Sequence, residues 1–405
     1  MFGSSASLYG AKSLDDLIRL RDRLVTELET GVQPPPEPGF FQTFLPNNPL
    51  EPDQNLLKKL QAVELQILIE QRAEDNWKQA LRMATQATDP QKISDSYEDQ
   101  KQAQVFWQQA ISNLSEIPDQ SLATPRAREK LKVYQASLTA LNQVLQLAES
   151  SILEQIRQES GLSRQAMISV CNLKQDCIHL RGDQRPASPA SLIKIPIAIA
   201  LLNKTNQDQV SLEEEVYVEG GNFTEDASDI RARKRYSLKV LMGQMIDHSS
   251  NIATNQLIDY LGQGYINDLL EQQGYKTTRV YFKLMGDRIM PFRPGKGRNQ
   301  LTSNELTAMM ARIYNHEYPQ SAVLIEALKR QYDHEMGYDG LKGLKAEWLG
   351  EKTGQNSRAV GTTLAARIDG EIYAITIIDN RSGNVPQIRQ AVTEIAEYIL
   401  QNGHL

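Results

Sequence analysis

A serine and a lysine stand one helical turn apart at the start of the longest apolar run in the chain. Residues 189–196 read Pro-Ala-Ser-Leu-Ile-Lys-Ile-Pro and contain the only Ser-x-x-Lys of the sequence, formed by Ser191 and Lys194. A spacing of three places both side chains on one face of a helix. The apolar run Ile195–Leu202 belongs to the same predicted helix. Spanning a membrane takes roughly 18 to 20 apolar residues, so we expect no transmembrane segment.

This serine and lysine can support nucleophilic chemistry if the lysine is buried. A serine hydroxyl is a poor nucleophile until a neighbouring group takes its proton. Burial lowers the pKa of a lysine toward the range in which it can act as that base. The positive end of the helix dipole also favours a developing alkoxide on Ser191. The alternative is purely structural, with Ser191 capping the helix and Lys194 facing solvent.

Two more motifs follow in a fixed order. Ser249-Ser250-Asn251 opens an apolar-periodic stretch, and Lys352-Thr353-Gly354, the only Lys-Thr-Gly of the chain, precedes β-rich segments at 359–368 and 371–378. Ser-x-x-Lys, Ser-x-Asn and Lys-Thr-Gly in this order are typical of serine acyltransferases that attack strained or peptide amides. Each motif alone can arise by chance, but the three in order favour one shared site.

From about Leu153 to the C-terminus, the chain resembles the class A β-lactamases and the related penicillin-binding proteins in the order and spacing of these motifs. The loop discussed below is most similar to that of cyanobacterial-type class A-like penicillin-binding proteins. The resemblance implies four catalytic residues: Ser191, Lys194, Ser249 and Lys352. It also implies four substrate-binding residues: Asn251, Thr353, Gly354 and Gln355.

Each of these residues has a role in the family. Ser191 would be acylated with the help of Lys194, and Ser249 would pass a proton to the leaving nitrogen. Asn251 would bind the substrate amide. The Lys-Thr-Gly residues would hold the substrate carboxylate through their lysine and threonine. The backbone N–H groups of Ser191 and Gln355 would form the oxyanion hole.

The loop that carries a deacylating glutamate in class A β-lactamases has no glutamate here. When the comparison is anchored on Pro294-Gly295, Gly286 stands at the position of that glutamate. The segment Tyr281–Pro291 contains a single acid, Asp287. Hydrolysis of an acyl-enzyme needs a base within hydrogen-bond reach of the attacking water. We therefore expect slow deacylation, with Asp287 as the alternative base.

Residues 148–405 predict an α/β domain of the α+β type, with a β-lactamase-like fold. Its mainly antiparallel sheet would combine the hairpin Ala166–Arg181 with the strands at 359–368 and 371–378. A helical lobe from Ser191 to about Gln331 would be inserted between them. A C-terminal helix, Gln387–Gln401, would pack its apolar face on the sheet.

Residues 1–147 predict an all-α region that carries no catalytic motif. Ser13 and Asp16 form a capping box at the start of its first helix. The segment 31–52, which is rich in proline, predicts an extended linker. Further helices are predicted at 55–87, 97–114 and 126–158. Binding of a protein partner or a role as a spacer is the default expectation for these helices.

Composition narrows the remaining functions. A net charge of −6 and a pI near 5.6 argue against nucleic-acid binding. The five histidines are scattered, so we expect no metal and no cofactor.

Cys171 and Cys177 flank a predicted hairpin turn, and they form either a disulfide or two free thiols. The resemblance implies an extracytoplasmic, periplasmic location, whereas Met1–Lys12 shows neither the basic nor the apolar region of a signal peptide.

Two functions remain open from the sequence. The first is a serine hydrolase acting on amide bonds, β-lactamase-like or D-alanyl-D-alanine peptidase-like, whose substrates are β-lactams or peptidoglycan peptides. The second is a non-hydrolytic penicillin- or peptidoglycan-binding sensor or scaffold. Turnover separates them, because an enzyme releases product repeatedly and a sensor stops after one equivalent.

Overall fold

The structure is a computed structural model, and it describes residues 8–30, 54–89, 93, 96–226, 228–381 and 383–403. The predicted linker, 31–52, lies outside the described residues. The chain divides into two compact units, Met1–Leu145 and Gln146–Leu405. Within the described residues, none of the helices combines the length and the apolar character needed to cross a membrane.

The first unit is helical throughout its described part. Its helices are α1 (Leu14–Thr30), α2 (Gln54–Ala87), α3 (Tyr97–Ser115) and α4 (Thr124–Glu159), the last of which continues into the second unit. The predicted capping box is present, because the Ser13 hydroxyl accepts the backbone N–H of Asp16 at 3.2 Å. Trp107 of α3 is buried against Tyr134 of α4, with ring centroids 5.1 Å apart. These aromatic rings therefore belong to the helical core.

The second unit contains a five-stranded antiparallel sheet in the order β2-β1-β7-β6-β5. Its strands are β1 (Met167–Asn172), β2 (Cys177–Leu180), β5 (Ala346–Gln355), β6 (Val360–Ile368) and β7 (Glu371–Asp379). A separate hairpin pairs β3 (Glu215–Tyr217) with β4 (Arg235–Ser237). The predicted α+β class, with its mainly antiparallel sheet, is confirmed.

Helices fill the interval between β2 and β5 and follow the last strand. They are α5 (Lys194–Gln207), α6 (Leu238–Asp247), α7 (Asn251–Leu261), α8 (Gln263–Gln272), α9 (Ser303–Tyr314), α10 (Ser321–Lys329), α11 (Gly337–Leu341) and α12 (Val385–Asn402). The inserted helical lobe predicted from the sequence is thus present, and it extends slightly beyond Gln331.

The sheet separates two hydrophobic cores, because successive side chains of a strand point to opposite faces. In β7, Ile375 and Ile377 pack with α12, whereas Ala374 and Ile378 pack with the helical lobe. The predicted apolar face of the C-terminal helix is buried in the first of these cores through Ile388, Val392, Ile395 and Ile399. Burial on both faces holds the sheet rigidly behind the inserted lobe.

The two cysteines face one another across the hairpin of β1 and β2. Cys171 pairs with Cys177 in the strand register, and the two are joined by a disulfide. Of the two states that the sequence left open, the structure has the cross-linked one.

Candidate active site

Ser191 lies in a short 3₁₀ turn, Ala190–Ile193, directly before α5. Lys194 is the first residue of α5, and its side chain is fully buried. The Lys194 ammonium lies 3.2 Å from the hydroxyl oxygen of Ser191. The structural alternative, with the lysine facing solvent, is therefore excluded.

Lys194 also connects the serine to the second motif. Its Nζ lies 3.0 Å from the hydroxyl oxygen of Ser249 and 2.9 Å from Oδ1 of Asn251. Burial lowers the pKa of Lys194 well below its ordinary value, and the positive charge of Lys352 lowers it further, while the carboxylate of Asp226 acts in the opposite direction. A lysine in this setting can lose its proton and serve as a base.

The second motif occupies the sharp connection between α6 and α7. Ser249 has a φ of 57°, in the left-handed region that is costly for a residue with a side chain. Ser250 caps α7 by accepting the backbone N–H of Ala253 at 3.1 Å. One oxygen of the Asp226 carboxylate accepts the Ser250 hydroxyl at 2.6 Å and the Ile252 backbone N–H at 2.8 Å. Asp226 thus holds the strained turn that presents Ser249 and Asn251.

The third motif lies on β5, the edge strand next to the Ser191 turn. A Cβ atom at Gly354 would lie 2.9 Å from the backbone nitrogen of Ser191 and 3.0 Å from that of Leu192. Real Cβ contacts are longer, so only glycine lets β5 approach the turn this closely. Gly354 therefore sets the distance between Ser191 and the end of β5, where Gln355 follows.

Lys352 is fully buried behind the cleft. Its ammonium donates to Oε1 of Gln331 at 3.2 Å and to the backbone oxygen of Thr353 at 2.7 Å. Burial lowers the pKa of Lys352 to about 8, against the opposing effects of nearby acids, of which Asp333 is the strongest. The neighbouring Glu351 is also buried, and burial raises its pKa to about 7.

Two cavities meet at Ser191. The larger, of about 550 Å³, is lined by Asn251, by Leu284 and by Gln355, among others. The smaller, of about 170 Å³, is lined by Ser249, Thr353 and Gly354. The structure therefore gathers all eight residues that the sequence singled out, since Lys194 and Lys352 reach the same place through their hydrogen bonds.

The loop opposite Ser191 differs from the sequence-based alignment. Leu284 and Met285 line the larger cavity, whereas Gly286 and Asp287 do not. Asn255 fixes this register by accepting the Leu284 backbone N–H at 2.7 Å and donating to its carbonyl at 2.9 Å. Gly286, which the sequence comparison placed at the position of the catalytic glutamate, does not line the cavity at Ser191, whereas Leu284, which Asn255 holds, does.

Gly286 instead faces the segment between β3 and β4. A Cβ at this position would collide with the carboxylate and backbone nitrogen of Glu225 and with the hydroxyl of Thr224. Glu225 accepts the backbone N–H groups of Arg288 and Ile289 at 3.0 and 3.2 Å. Desolvation acts to raise the pKa of Glu225, but hydrogen bonds from its own backbone N–H, from these two N–H groups and from Thr224 together lower it.

Sequence reasoning missed three residues that shape the site: Asp226, Gln331 and Leu284. None belongs to a motif, and each acts through a contact distant in sequence. Within the described part of the chain, no group of three or more His, Cys, Asp or Glu side chains is arranged to hold a metal ion.

Solved structures share the fold of the second unit. PBP-A is 24% identical, with 62% of this chain and 96% of that chain covered and a TM-score of 0.53. A leucine-to-glutamate variant of PBP-A, solved as an acyl-enzyme complex with penicillin G, matches equally well, with a TM-score of 0.53.

Two β-lactamases match in the same way. The β-lactamase of Sphaerobacter thermophilus is 18% identical, with 63% of this chain and 96% of that chain covered and a TM-score of 0.53. An ancestral class A β-lactamase is 20% identical, with 62% and 99% covered and a TM-score of 0.52. No curated protein sequence matches significantly. Residues 150–402, more than half of the chain, match the model of the β-lactamase enzyme family, and the chain therefore belongs to this family.

Proposed function

We propose that Ser191 is the nucleophile of a serine hydrolase that is acylated by β-lactams or D-alanyl peptides. One observation carries the proposal: a fully buried Lys194 lies within hydrogen-bond distance of Ser191, Ser249 and Asn251 at once. The nucleophile and a proton carrier then both contact the base, as acyl transfer requires.

The first half of the reaction follows from these contacts. Neutral Lys194 takes the proton from the Ser191 hydroxyl, and the serine oxygen attacks the carbonyl carbon of the amide. The carbonyl oxygen becomes an oxyanion, which the backbone N–H groups of Ser191 and Gln355 stabilise. The close approach of Gly354 to the Ser191 turn supports this pairing of the two N–H groups.

The second half releases the amine. The proton held by Lys194 passes through the Ser249 hydroxyl to the leaving nitrogen, the C–N bond breaks, and an ester remains on Ser191. Asn251 donates its amide hydrogen to the acyl group of the substrate. Lys352 and Thr353 attract the carboxylate on the leaving side by charge-assisted hydrogen bonding.

We further propose that hydrolysis of this ester is slow. No carboxylate lines the larger cavity among the described residues, and Leu284 presents a hydrocarbon side chain where the loop faces Ser191. A base that activates water typically accelerates the reaction by a factor of about 10² to 10⁴. Slow release also keeps the second function in view, a sensor or scaffold that retains its ligand.

Labelling with a fluorescent penicillin tests the proposal. Ser191→Ala should abolish labelling, and Lys194→Ala should slow it by a factor of about 10² to 10⁴. Ser357→Ala is the matched control, because Ser357 is exposed in the turn between β5 and β6. Labelling that survives Ser191→Ala would rule out this nucleophile.

Intact-mass measurement after removal of excess drug separates the two functions. An adduct that decays with repeated turnover indicates a hydrolase, whereas one permanent equivalent indicates a sensor. An adduct that persists for minutes and then decays agrees with slow hydrolysis. Complete loss within seconds would contradict slow deacylation.

A further inference from the structure

The two cavities that meet at Ser191 carry opposite charge. Three arginines line the larger one, Arg185, Arg298 and Arg358, and no aspartate or glutamate does so among the described residues. The smaller cavity is lined by two acids, Asp247 and Asp333. Asp247 is itself paired with Arg330 at 3.4 Å, so the strongest unbalanced charge at the cleft is that of the three arginines.

The three arginines converge from separate parts of the chain. Arg185 precedes the Ser191 turn, Arg298 follows the loop that carries Leu284, and Arg358 lies in the turn joining β5 to β6. The Arg358 backbone is fixed in that turn by donating its N–H to Oδ1 of Asn356 at 2.9 Å. The site is thus assembled by the fold and not by a local basic run.

These charges are not neutralised within the described part of the protein. All three arginines are exposed, and none of them forms an ion pair there. The other cation at this cavity, Lys283, differs, because it is buried and bonded to Asp259 at 2.7 Å. The nearby acids Asp183 and Asp287 are exposed but do not line the cavity.

The proposed mechanism assigns each cavity to one side of the scissile amide. Asn251, which would bind the acyl group, lines the arginine-bearing cavity. Ser249 and Thr353, which would act on the leaving nitrogen and its carboxylate, line the acidic one. The arginines therefore face the acyl portion of the substrate.

We propose that this enzyme selects acyl donors that carry a carboxylate on the acyl side of the scissile amide. The inference rests on the proposed function and adds a substrate class to it. Arginine matches a carboxylate by paired N–H donors, and three unpaired guanidinium groups at one rim raise the local concentration of anions. A neutral acyl group would provide no negative charge to interact with these arginines.

Two synthetic penicillins test the charge preference with little change in shape. Both are 6-aminopenicillanic acid derivatives, one N-acylated with succinate and the other with succinamate, so that they differ by a carboxylate against an amide. Each competes with a fluorescent penicillin for Ser191 on the full-length protein, which gives its acylation rate constant. We expect the succinyl compound to react about 3- to 30-fold faster at low salt, on the scale of a few exposed charge pairs.

Salt and substitution identify the origin of this ratio. It should fall toward one near 1 M salt, where charges are screened beyond about 3 Å. It should also fall toward one in the triple variant Arg185→Gln, Arg298→Gln, Arg358→Gln, and fall partly in Arg358→Gln alone. Arg164→Gln is the matched control, since Arg164 is exposed and lines neither cavity.

A ratio of one or less in the unmodified protein would overturn the inference, and so would a ratio unchanged in the triple variant. The salt series needs no variant, so it decides the question even if the triple variant does not fold. Failure of the proposed function is distinguishable, because then the fluorescent penicillin itself does not label Ser191. If both compounds react with Ser191 at the same rate, the proposed function is supported and only the charge preference is refuted.

Discussion

Asp226→Asn tests how the strained turn between α6 and α7 is held. One Asp226 oxygen accepts the Ser250 hydroxyl and the Ile252 backbone N–H. Hydrogen bonds to a charged group contribute about 1.5 to 3 kcal/mol each and neutral ones about 0.5 to 1.5. An amide keeps the shape but loses the charge, and Asp226 is only half-buried, so we expect a loss of about 1 to 3 kcal/mol.

This loss corresponds to a fall in Tm of roughly 2 to 12 °C, since each kcal/mol shifts Tm by about 2 to 4 °C in a domain of this size. Calorimetry at one pH measures it. Asp229→Asn is the control, because it removes the same charge from an exposed side chain that makes no hydrogen bond within the described residues. Equal Tm values for the two variants would refute the role of Asp226 in holding the turn.

The same substitution has an electrostatic effect on activity. The Asp226 carboxylate raises the pKa of Lys194, so its removal should lower that pKa further. Lys194 acts as a base only when neutral, and a lower pKa makes it neutral at lower pH. In the pH profile of the acylation rate, the rise on the acidic side should therefore move to lower pH. The maximal rate should also be lower, because Ser249 and Asn251 are less well placed. A rise that moves to higher pH would refute the electrostatic reasoning.

Four further predictions concern separate parts of the protein. Leu284→Glu should shorten the acyl-enzyme lifetime by a factor of about 10² to 10⁴, as followed by intact mass, and an unchanged lifetime would contradict the observed loop register. Gly354→Ala should slow acylation about 10- to 100-fold by displacing the Ser191 turn, and near-normal kinetics would show that the turn relaxes freely. Burial raises the pKa of Glu351 from 4.5 to about 7, so the folded state holds the extra proton and stability falls as pH rises between these values. Glu351→Gln should flatten this part of the Tm–pH curve, and a curve as steep as before would exclude Glu351 as its source. A fragment of residues 148–405 should label with fluorescent penicillin at the full-length rate, unless the helical region completes the cleft.

Local spacing made the motif residues predictable. A separation of three, here across the 3₁₀ turn and the start of α5, brings Lys194 to Ser191 whatever the rest of the fold does. The pairing of Cys171 with Cys177 likewise follows from a short hairpin. The mainly antiparallel sheet and the inserted helical lobe were expected from family resemblance, and the structure has both, whereas β5 was not among the expected strands.

Contacts between distant segments were not predictable in the same way. The register of the loop is set by Asn255 through two hydrogen bonds to Leu284, and no local pattern encodes that contact. Anchoring the loop on a proline-glycine pair therefore misplaced the residue that faces the serine. Asp226 was missed for a similar reason, because it precedes by more than twenty residues the turn that it holds.

The two buried lysines beside the cleft lower the free energy of unfolding of the protein. Neither Lys194 nor Lys352 forms an ion pair within the described residues, and burial disfavours the charged form of both. Methionine has a similar length and no charge to desolvate, so Lys194→Met should raise the Tm measured by calorimetry while abolishing the proposed acylation. The stability given up at position 194 is thus a consequence of the proposed role of Lys194 in acylation.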